Sequence, residues 1–203
     1  MLAEIKRRRF TSDEFLCMGE VGILGPEERV ELIDGDIIQM SPIGHRHRAC
    51  VMRGTELFVL ALAGRAIVSP QSSVNLNKYS EPQPDMALFK PRSDYYKTSR
   101  VTAENTFLVV EVSDTTLAYD TNVKVPLYAR AGVPEVWIED VNASRLIVYR
   151  DAVGGAYLNR FEVGADESVA PLAFPDAWFA VRDLLLVGVP EAEWDRNPGP
   201  APE

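Results

Sequence analysis

The sequence predicts an α/β or α+β fold in which a central mixed β-sheet is flanked by helices. Composition is the first reason, because 46% of the 203 residues are hydrophobic and 25% are charged, as in soluble globular proteins. The second reason is that helical periodicity alternates along the chain with short apolar runs typical of strands. The third is a pair of hairpin turn signals, Asp34-Gly35 and Gly154-Gly155, each lying between two such runs.

The first third of the chain predicts a helix, a hairpin and a second helix. Thr11 is followed three residues later by Glu14, and this capping box predicts a short helix through about Met18. The Asp-Gly turn and the apolar alternation around it predict a β-hairpin over about residues 28–40. Apolar residues then recur at helical spacing over residues 45–63, which predicts a longer helix.

Three strands are predicted next, over residues 66–76, 85–89 and 106–113. The last of them, "TFLVVEVS", is the strongest because it is almost entirely apolar and rich in valine. The side chains of a strand alternate between the two faces of a sheet. One face of this strand is therefore expected to carry Phe107, Val109, Glu111 and Ser113. In the preceding strand, Asp85 occupies a strand end.

A loop after the strongest strand leads into a helix that is expected to end at Gly132. Pro126 is tolerated only near the start of a helix, so the helix is predicted to begin near Thr121 or Asn122. Residues four apart lie on one face of a helix. That face is expected to present Asp120, Lys124 and Tyr128, with Lys124 in the first turn.

The last part of the chain predicts a strand over residues 133–140 and a second hairpin over residues 144–164. An extended piece and a short helical turn at residues 182–185 are expected after it. Residues 1–187 are expected to form a single domain, because the chain is short enough for one core. Residues 188–203 are rich in proline and charge, so they are expected to be a disordered tail.

The formal net charge of −9 argues against a protein whose whole surface binds nucleic acid. Positive charge does gather locally, at Lys6–Arg9 and at Arg46, Arg48 and Arg53. Two interpretations of these clusters are open, a basic cleft and an ordinary solvated face.

The protein is expected to be cytoplasmic and not to be a membrane protein. No apolar run approaches the ~20 residues that a membrane span needs. The basic N-terminus has no apolar segment after it, unlike a secretory signal. Cys17 and Cys50 are far apart and fit no metal-ligand spacing, so both are expected to be reduced thiols.

Two carboxylates stand out because strands rarely bury a charge. Glu111 interrupts an apolar row, and Asp85 lies at the end of another strand. An isolated buried carboxylate is costly and tends to take up a proton. Two of them repel each other unless a cation lies between them, and Mg²⁺ accepts a few carboxylates together with water and substrate phosphate. The residues alone leave open a metal site, pairing with arginine and exposure to solvent.

The order of the motifs resembles that of a known nuclease superfamily. The dipeptide "PD" ends at Asp85, and "EVS" begins at Glu111 after an apolar run. This resembles the PD-(D/E)xK nucleases and, within them, the Uma-type restriction-endonuclease family. The resemblance covers about residues 10–185 and is carried by "RVELIDGDIIQMSP", the His47 region, "QPDMALF", "LVVEVSDTT", the spacing of Asp120, Lys124 and Tyr128, and "AGVPEVWIED".

The resemblance implies a restriction-endonuclease-like core that hydrolyses DNA with the aid of Mg²⁺, for which Mn²⁺ could substitute. Asp85, Glu111 and the backbone carbonyl of Val112 would hold the metal ion. The superfamily places its lysine two residues after the glutamate, but Ser113 stands there in this chain. Lys124 is the candidate that would replace it. The implied substrate is a nucleic acid, with double-stranded DNA favoured, and a homodimer is implied because two strands need two sites.

Five further residues are candidates for accessory roles: Glu31, His47, Ser113, Asp120 and Tyr128. Glu31 could approach the metal ion or its surroundings, or it could be a surface residue of the hairpin. His47 could contact phosphate or support a ligand, or simply begin a helix. Two other functions remain open, a nuclease-fold protein that binds or assembles without cleaving and a metal-free acid–base enzyme acting on a small molecule.

Overall fold

The structure is a computed structural model that describes residues 7–190. Its strands are β1 (Val30–Ile33), β2 (Asp36–Gln39), β3 (Ile67–Pro70), β4 (Met86–Phe89), β5 (Thr106–Ser113), β6 (Glu135–Asp140), β7 (Arg145–Val153), β8 (Ala156–Gly164), β9 (Ser168–Val169) and β10 (Phe179–Ala180). Its helices are α1 (Ser12–Glu20), α2 (His45–Leu62), α3 (Leu117–Tyr119), α4 (Val125–Ala131) and α5 (Val181–Leu184). A 3₁₀ turn covers Ala103–Asn105, and a π-helical turn covers Asp120–Lys124.

A six-stranded sheet in the order β3-β4-β5-β6-β7-β8 forms the centre of the molecule. The β5–β6 pair is parallel and the other neighbouring pairs are antiparallel. The parallel pair requires a crossover, which α3, the π-helical turn and α4 supply. The prediction of a mixed sheet flanked by helices is therefore confirmed. None of the helices within residues 7–190 is both long and apolar enough to cross a membrane.

The two faces of the sheet bury separate apolar clusters. The face under α2 and α5 carries Leu108, Val110 and Trp137. Phe58 of α2 packs against Trp137, with 6.0 Å between the two ring centroids. The opposite face carries Val109, Val136 and Ile138 and packs against Val125 and Tyr128 of α4. Because Glu111 has the same parity as Val109, it points to the α4 side.

The capping box and the first hairpin are confirmed. The Thr11 hydroxyl accepts a hydrogen bond from the Glu14 N–H, and the Glu14 carboxylate accepts one from the Thr11 N–H. In the hairpin, Ile33 pairs with Asp36 across a two-residue turn. Both turn residues have positive φ, 47° at Asp34 and 88° at Gly35, as a type I′ turn requires.

A β-bulge overturns the predicted orientation of Phe107. Leu88 pairs with Leu108, but the next residue of β4, Phe89, pairs with Thr106. Phe107 is the extra residue, and its ring packs against Phe174 with a centroid distance of 5.2 Å on the α2 side. Phe107 therefore does not share a face with Glu111. The extra residue of a bulge changes the alternation of side chains on its strand.

Two predicted boundaries are also wrong. The strand expected over residues 66–76 ends at Pro70, because Gln71 adopts a left-handed conformation with φ of 50°. The helix expected near Thr121 begins earlier, at Leu117. It reaches Pro126 through the π-helical turn, in which the Val125 N–H bonds to the Asp120 carbonyl five residues back. This wider turn accommodates a proline that lacks an N–H, so Lys124 lies inside the helical segment rather than in its first turn.

The second hairpin is formed by β7 and β8, and α5 covers most of the predicted helical turn at residues 182–185. The extent of the single domain stays a prediction. From residue 191 onward, the predicted tail lies outside the described residues.

Glu139 is a fully buried carboxylate on the α2 side of β6. Neither of its oxygens accepts a hydrogen bond from any residue between positions 7 and 190. Its Oε1 would lie 3.8 Å from a Cβ atom built onto Gly54 of α2. Burial, reinforced by repulsion from Asp85, raises the pKa of the Glu139 carboxyl well above its usual range. The protonated form is therefore favoured in the folded protein.

Gly35→Ala is expected to lower the free energy of unfolding by about 2–4 kcal/mol, because it combines a positive φ with a steric clash. A Cβ on Gly35 would lie 2.5 Å from the Cβ of Arg9. Gly64→Ala is the matched control, since Gly64 has φ of 78° but nothing within 4 Å of an added Cβ. Urea denaturation should give a smaller loss for the control, and equal losses would show that the Arg9 contact is unimportant.

Glu139→Leu is expected to increase the free energy of unfolding by about 1–3 kcal/mol near neutral pH, because it removes a buried polar group without a partner. The folded state holds the Glu139 proton more tightly than the unfolded state does. The stability of the wild type therefore falls as pH rises through the raised pKa, and the advantage of the variant grows. Urea denaturation at about pH 5 and about pH 8 measures the free energy of unfolding of both proteins. Both pH values lie above the ordinary glutamate pKa of about 4.3, so a change between them reports a raised pKa. The exposed control Glu104→Leu should show no gain in stability that grows with pH. The absence of such a gain in Glu139→Leu would show that the Glu139 carboxyl has a normal pKa.

Candidate functional site

The antiparallel pairing of β4 with β5 brings Asp85 and Glu111 to the same end of the sheet. Met86 pairs with Val110, so the residue before β4 lies next to the last part of β5. The Val112 N–H donates a hydrogen bond of 2.8 Å to Asp85 Oδ2. Asp85 is 7% exposed and Glu111 is 2% exposed, so both carboxylates are buried instead of lying open to solvent.

Lys124 connects two of the buried carboxylates. Its Nζ lies 2.8 Å from Glu111 Oε1 and 3.2 Å from Glu31 Oε2. Burial alone would lower the pKa of Lys124, but the carboxylates of Glu111, Glu31 and Asp120 outweigh burial and raise that pKa above the usual lysine value. Lys124 is therefore an ammonium ion within hydrogen-bond distance of Glu111, as the proposed replacement for a lysine at position 113 requires.

Glu111 has a second fixed partner in α4. The Tyr128 hydroxyl donates a hydrogen bond of 2.6 Å to Glu111 Oε1, and Tyr128 is fully buried. Burial raises the pKa of Glu111 well above its usual range. Lys124 opposes this shift, whereas the nearby carboxylates add to it. The Glu111 side chain is thus held in one position, where Lys124 offsets only part of the effect of burial on its charge.

His47 reaches Asp85 from the start of α2. Its Nε2 lies 2.9 Å from Asp85 Oδ1. Together with the Val112 N–H, this contact engages both oxygens of Asp85. The other ring nitrogen, Nδ1, is buried and has no hydrogen-bond partner among residues 7–190. His47 therefore orients a carboxylate of the site, which favours the supporting role over that of a simple helix-start residue.

Asp120 and Ser113 contact each other instead of Glu111. The Ser113 hydroxyl donates to Asp120 Oδ2 at 2.7 Å, and the Thr116 hydroxyl donates to the same oxygen at 2.6 Å. Burial raises the pKa of Asp120, and these two hydrogen bonds together with Lys124 oppose the shift. Ser113 therefore links β5 to the π-helical turn and carries no charge into the site.

Glu31 is buried, so its interpretation as a surface residue of the hairpin is wrong. Its side chain is 2% exposed in the described structure. Oε1 accepts a hydrogen bond of 3.2 Å from the Tyr119 hydroxyl, and Oε2 accepts one of 3.1 Å from the Gln83 N–H. Sequence reasoning missed Tyr119, since it placed residues before Thr121 in a loop. A helix extended by one turn would have revealed it, because Tyr119 precedes Lys124 by one π-helical turn.

These side chains surround a cleft of about 460 Å³ between the first hairpin, the start of α2 and the segment after β5. Its cationic lining consists of Arg29 and Lys124. Its acidic lining consists of Glu31, Asp85, Glu111, Asp114 and Asp120. Carboxylates therefore outnumber lysine and arginine in this wall, and the cleft as it stands would repel an anionic substrate.

The donors in the cleft fit a hard divalent cation. Within residues 7–190, no three His, Cys, Asp or Glu side chains are grouped closely enough to hold a metal ion by themselves. Mg²⁺ does not need such a group, because it is usually bound through one or two carboxylates and keeps several waters. Asp85 and Glu111 supply the two carboxylates, and a cation between them would offset the negative charge of the cleft. The residues present therefore fit Mg²⁺ and, by the same oxygen chemistry, Mn²⁺.

A solved structure supports the assignment of the fold. The chain is similar to a crystal structure described as "a putative nuclease belonging to DUF820" from Anabaena variabilis, with 18% sequence identity and a TM-score of 0.68. The similarity covers 87% of this chain and 98% of that chain. At this level of identity the likeness shows a shared fold. Comparison with curated proteins found no match.

A family model matches residues 12–182, which include every candidate residue of the cleft. The family is Uma2, and its description is "Putative restriction endonuclease". The match begins at α1 and ends in α5, so it spans the whole of the central sheet. The protein therefore belongs to the Uma2 family.

Proposed function

We propose that the protein is a Mg²⁺-dependent endonuclease that hydrolyses phosphodiester bonds of double-stranded DNA through Asp85, Glu111 and Lys124. The observation that carries the proposal is the position of Lys124 Nζ, 2.8 Å from Glu111 Oε1 in the cleft that Asp85 also lines. These are the three residue types of the nuclease superfamily that the sequence resembles. Membership of a family described as a restriction endonuclease supports the same reaction.

Asp85, Glu111 and the carbonyl of Val112 would hold the metal ion, and Mn²⁺ would serve as a substitute. When bound, Mg²⁺ would polarise the scissile phosphate and lower the pKa of a bound water. The protein contributes by fixing the two carboxylates in advance. His47 and the Val112 N–H fix Asp85, and the Tyr128 hydroxyl fixes Glu111.

Lys124 supplies the positive charge of the protein in this site. Its raised pKa keeps it protonated, so its ammonium group can offset the charge that develops on the phosphate. In the proposed reaction a water oxygen bonds to phosphorus, the bond from phosphorus to the 3′ oxygen breaks, and a proton passes to that oxygen. The products carry a 5′-phosphate and a 3′-hydroxyl.

Double-stranded DNA and a homodimer belong to the proposal because cutting both strands needs two sites related by a two-fold axis. Arg29 lies in the wall of the cleft, where it could meet a neighbouring phosphate. A cytoplasmic location also belongs to the proposal, and the free thiols of Cys17 and Cys50 are consistent with it.

A second candidate function rests on two observations. The cleft volume of about 460 Å³ falls in the range of pockets for small molecules, roughly 300–1,000 Å³. Ser113 also leaves the usual position of the lysine without charge. A protein that binds a small ligand, or assembles with a partner, without cutting DNA would share these features.

Asp85→Asn, Glu111→Gln and Lys124→Met are each expected to slow DNA cleavage about 100-fold or more. The first two each remove a carboxylate that would hold the metal ion, and the third removes the positive charge that would act on the reacting phosphate. Supercoiled plasmid incubated with Mg²⁺ or Mn²⁺ measures this as nicked and linear products. Glu104→Gln is the control, since Glu104 is an exposed carboxylate of the 3₁₀ turn. It should cut at the wild-type rate. Equal background cleavage by the wild type and all three variants would refute the nuclease and favour the second candidate.

Metal binding is expected to depend on pH through Glu111. Burial raises the pKa of Glu111, and a bound cation requires its ionised form. Mn²⁺ affinity should therefore rise by up to about tenfold per pH unit below that pKa and then level off above it. Calorimetric titration between about pH 5 and about pH 8 covers the range above the ordinary glutamate pKa of about 4.3. Glu111→Gln should abolish most of the dependence of Mn²⁺ affinity on pH. If the affinity of the wild type does not change with pH, no proton leaves the site when the cation binds.

A further inference from the structure

The structure raises a question about the metal site that the proposed function does not answer. Lys124 and a divalent cation would contact the same carboxylate, since Nζ lies 2.8 Å from Glu111 Oε1. Two positive groups on one carboxylate repel each other strongly in a buried site, where solvent screens them little. Binding of the cation would therefore favour movement of the ammonium group away from Glu111. Without another partner, the buried lysine would lose its compensating charge.

Glu31 is placed where it can be that other partner of Lys124. It lies 3.2 Å from Lys124 Nζ on the side that faces the hairpin. Its backbone is fixed by pairing with Ile38 of β2. Its side chain accepts hydrogen bonds from the Tyr119 hydroxyl and the Gln83 N–H. With Lys124, three donors thus occupy Glu31, and the carboxylate has little capacity left to serve as a metal ligand.

We propose that Glu31 is a positioning residue, which retains the Lys124 ammonium group in the cleft when a divalent cation displaces it from Glu111. The inference rests on the proposed function and assigns Glu31 to the lysine instead of the metal ion. Lys124 then has two positions. It neutralises Glu111 when no metal is bound, and it stays beside the metal ion, held by Glu31, when the site is loaded.

The two residues should have opposite effects on metal binding. Lys124 competes with the cation for Glu111, so Lys124→Met should tighten Mn²⁺ binding about tenfold. In Glu31→Gln, Lys124 keeps Glu111 as its nearest carboxylate and is harder to displace. The affinity for Mn²⁺ should therefore fall about tenfold. If Glu31 acts through Lys124, most of that fall should disappear in the double variant Glu31→Gln/Lys124→Met.

The test is a double-mutant cycle of Mn²⁺ affinity, measured by calorimetry on the wild type, the two single variants and the double variant. Glu104→Gln and Lys97→Met are the charge-matched controls, since both side chains are exposed. They should leave the affinity unchanged. The inference is overturned if Glu31→Gln weakens binding equally with and without Lys124, because Glu31 would then act on the metal ion itself. If the wild type binds no Mn²⁺ and cuts no DNA, the proposed function fails instead.

Cleavage kinetics give a second measurement that needs no Lys124 variant, in case removal of the lysine unfolds the protein. At saturating Mn²⁺, Glu31→Gln should still show kcat at least about tenfold below the wild type, because the lysine is no longer held in place. Glu31→Asp keeps the charge and should recover part of that loss. Full recovery of kcat in Glu31→Gln at saturating Mn²⁺ would overturn the inference, since a lost metal ligand can be compensated by more metal.

Discussion

The buried contact between Lys124 and Glu111 is the interaction on which the rest of the site depends. Four parts of the chain meet around it: the first hairpin through Glu31, β5 through Glu111, the π-helical turn through Lys124, and α4 through Tyr128. The ammonium group compensates the buried charge of Glu31 and Glu111, and its removal would leave that charge without a partner. The lysine in turn stays charged only because the carboxylates surround it. The site is therefore one electrostatic unit, and its members cannot be assessed singly.

Buried carboxylates outnumber buried lysines in this unit. Glu31, Asp85, Glu111 and Asp120 are all buried, whereas Lys124 is the sole buried lysine among the residues that the structure describes. Such an excess of negative charge destabilises the folded state unless protons or metal ions compensate it. The raised pKa values of Glu111 and Asp120 express the first kind of compensation. A divalent cation would provide the second kind of compensation. The excess negative charge that destabilises the fold would then favour binding of that cation.

Much of this could be predicted from local sequence, whereas two of the failures depend on contacts between distant parts of the chain. The Asp-Gly turn, the capping box and the apolar row around Glu111 are local signals, and each led to the observed element. The spacing of Asp120, Lys124 and Tyr128 predicted that they share one face of a helix, and all three side chains do contact residues of β5. The orientation of Phe107 failed because a bulge depends on how β5 pairs with β4. The contact of Tyr119 with Glu31 joins residues 88 positions apart, and no local pattern encodes such a distance.

The π-helical turn also limits how this region can change in length. It holds one more residue than an α-helical turn would, just before Pro126. Deleting a residue between positions 120 and 124 would restore regular α-helix and leave the segments before and after it facing as they do now, because the wide turn takes up one extra residue without rotating its flanks. The effect of such a deletion would fall on the turn itself, which carries Asp120 and Lys124. The helix could therefore lose a residue here and keep its direction, but the lysine of the site would lose its position.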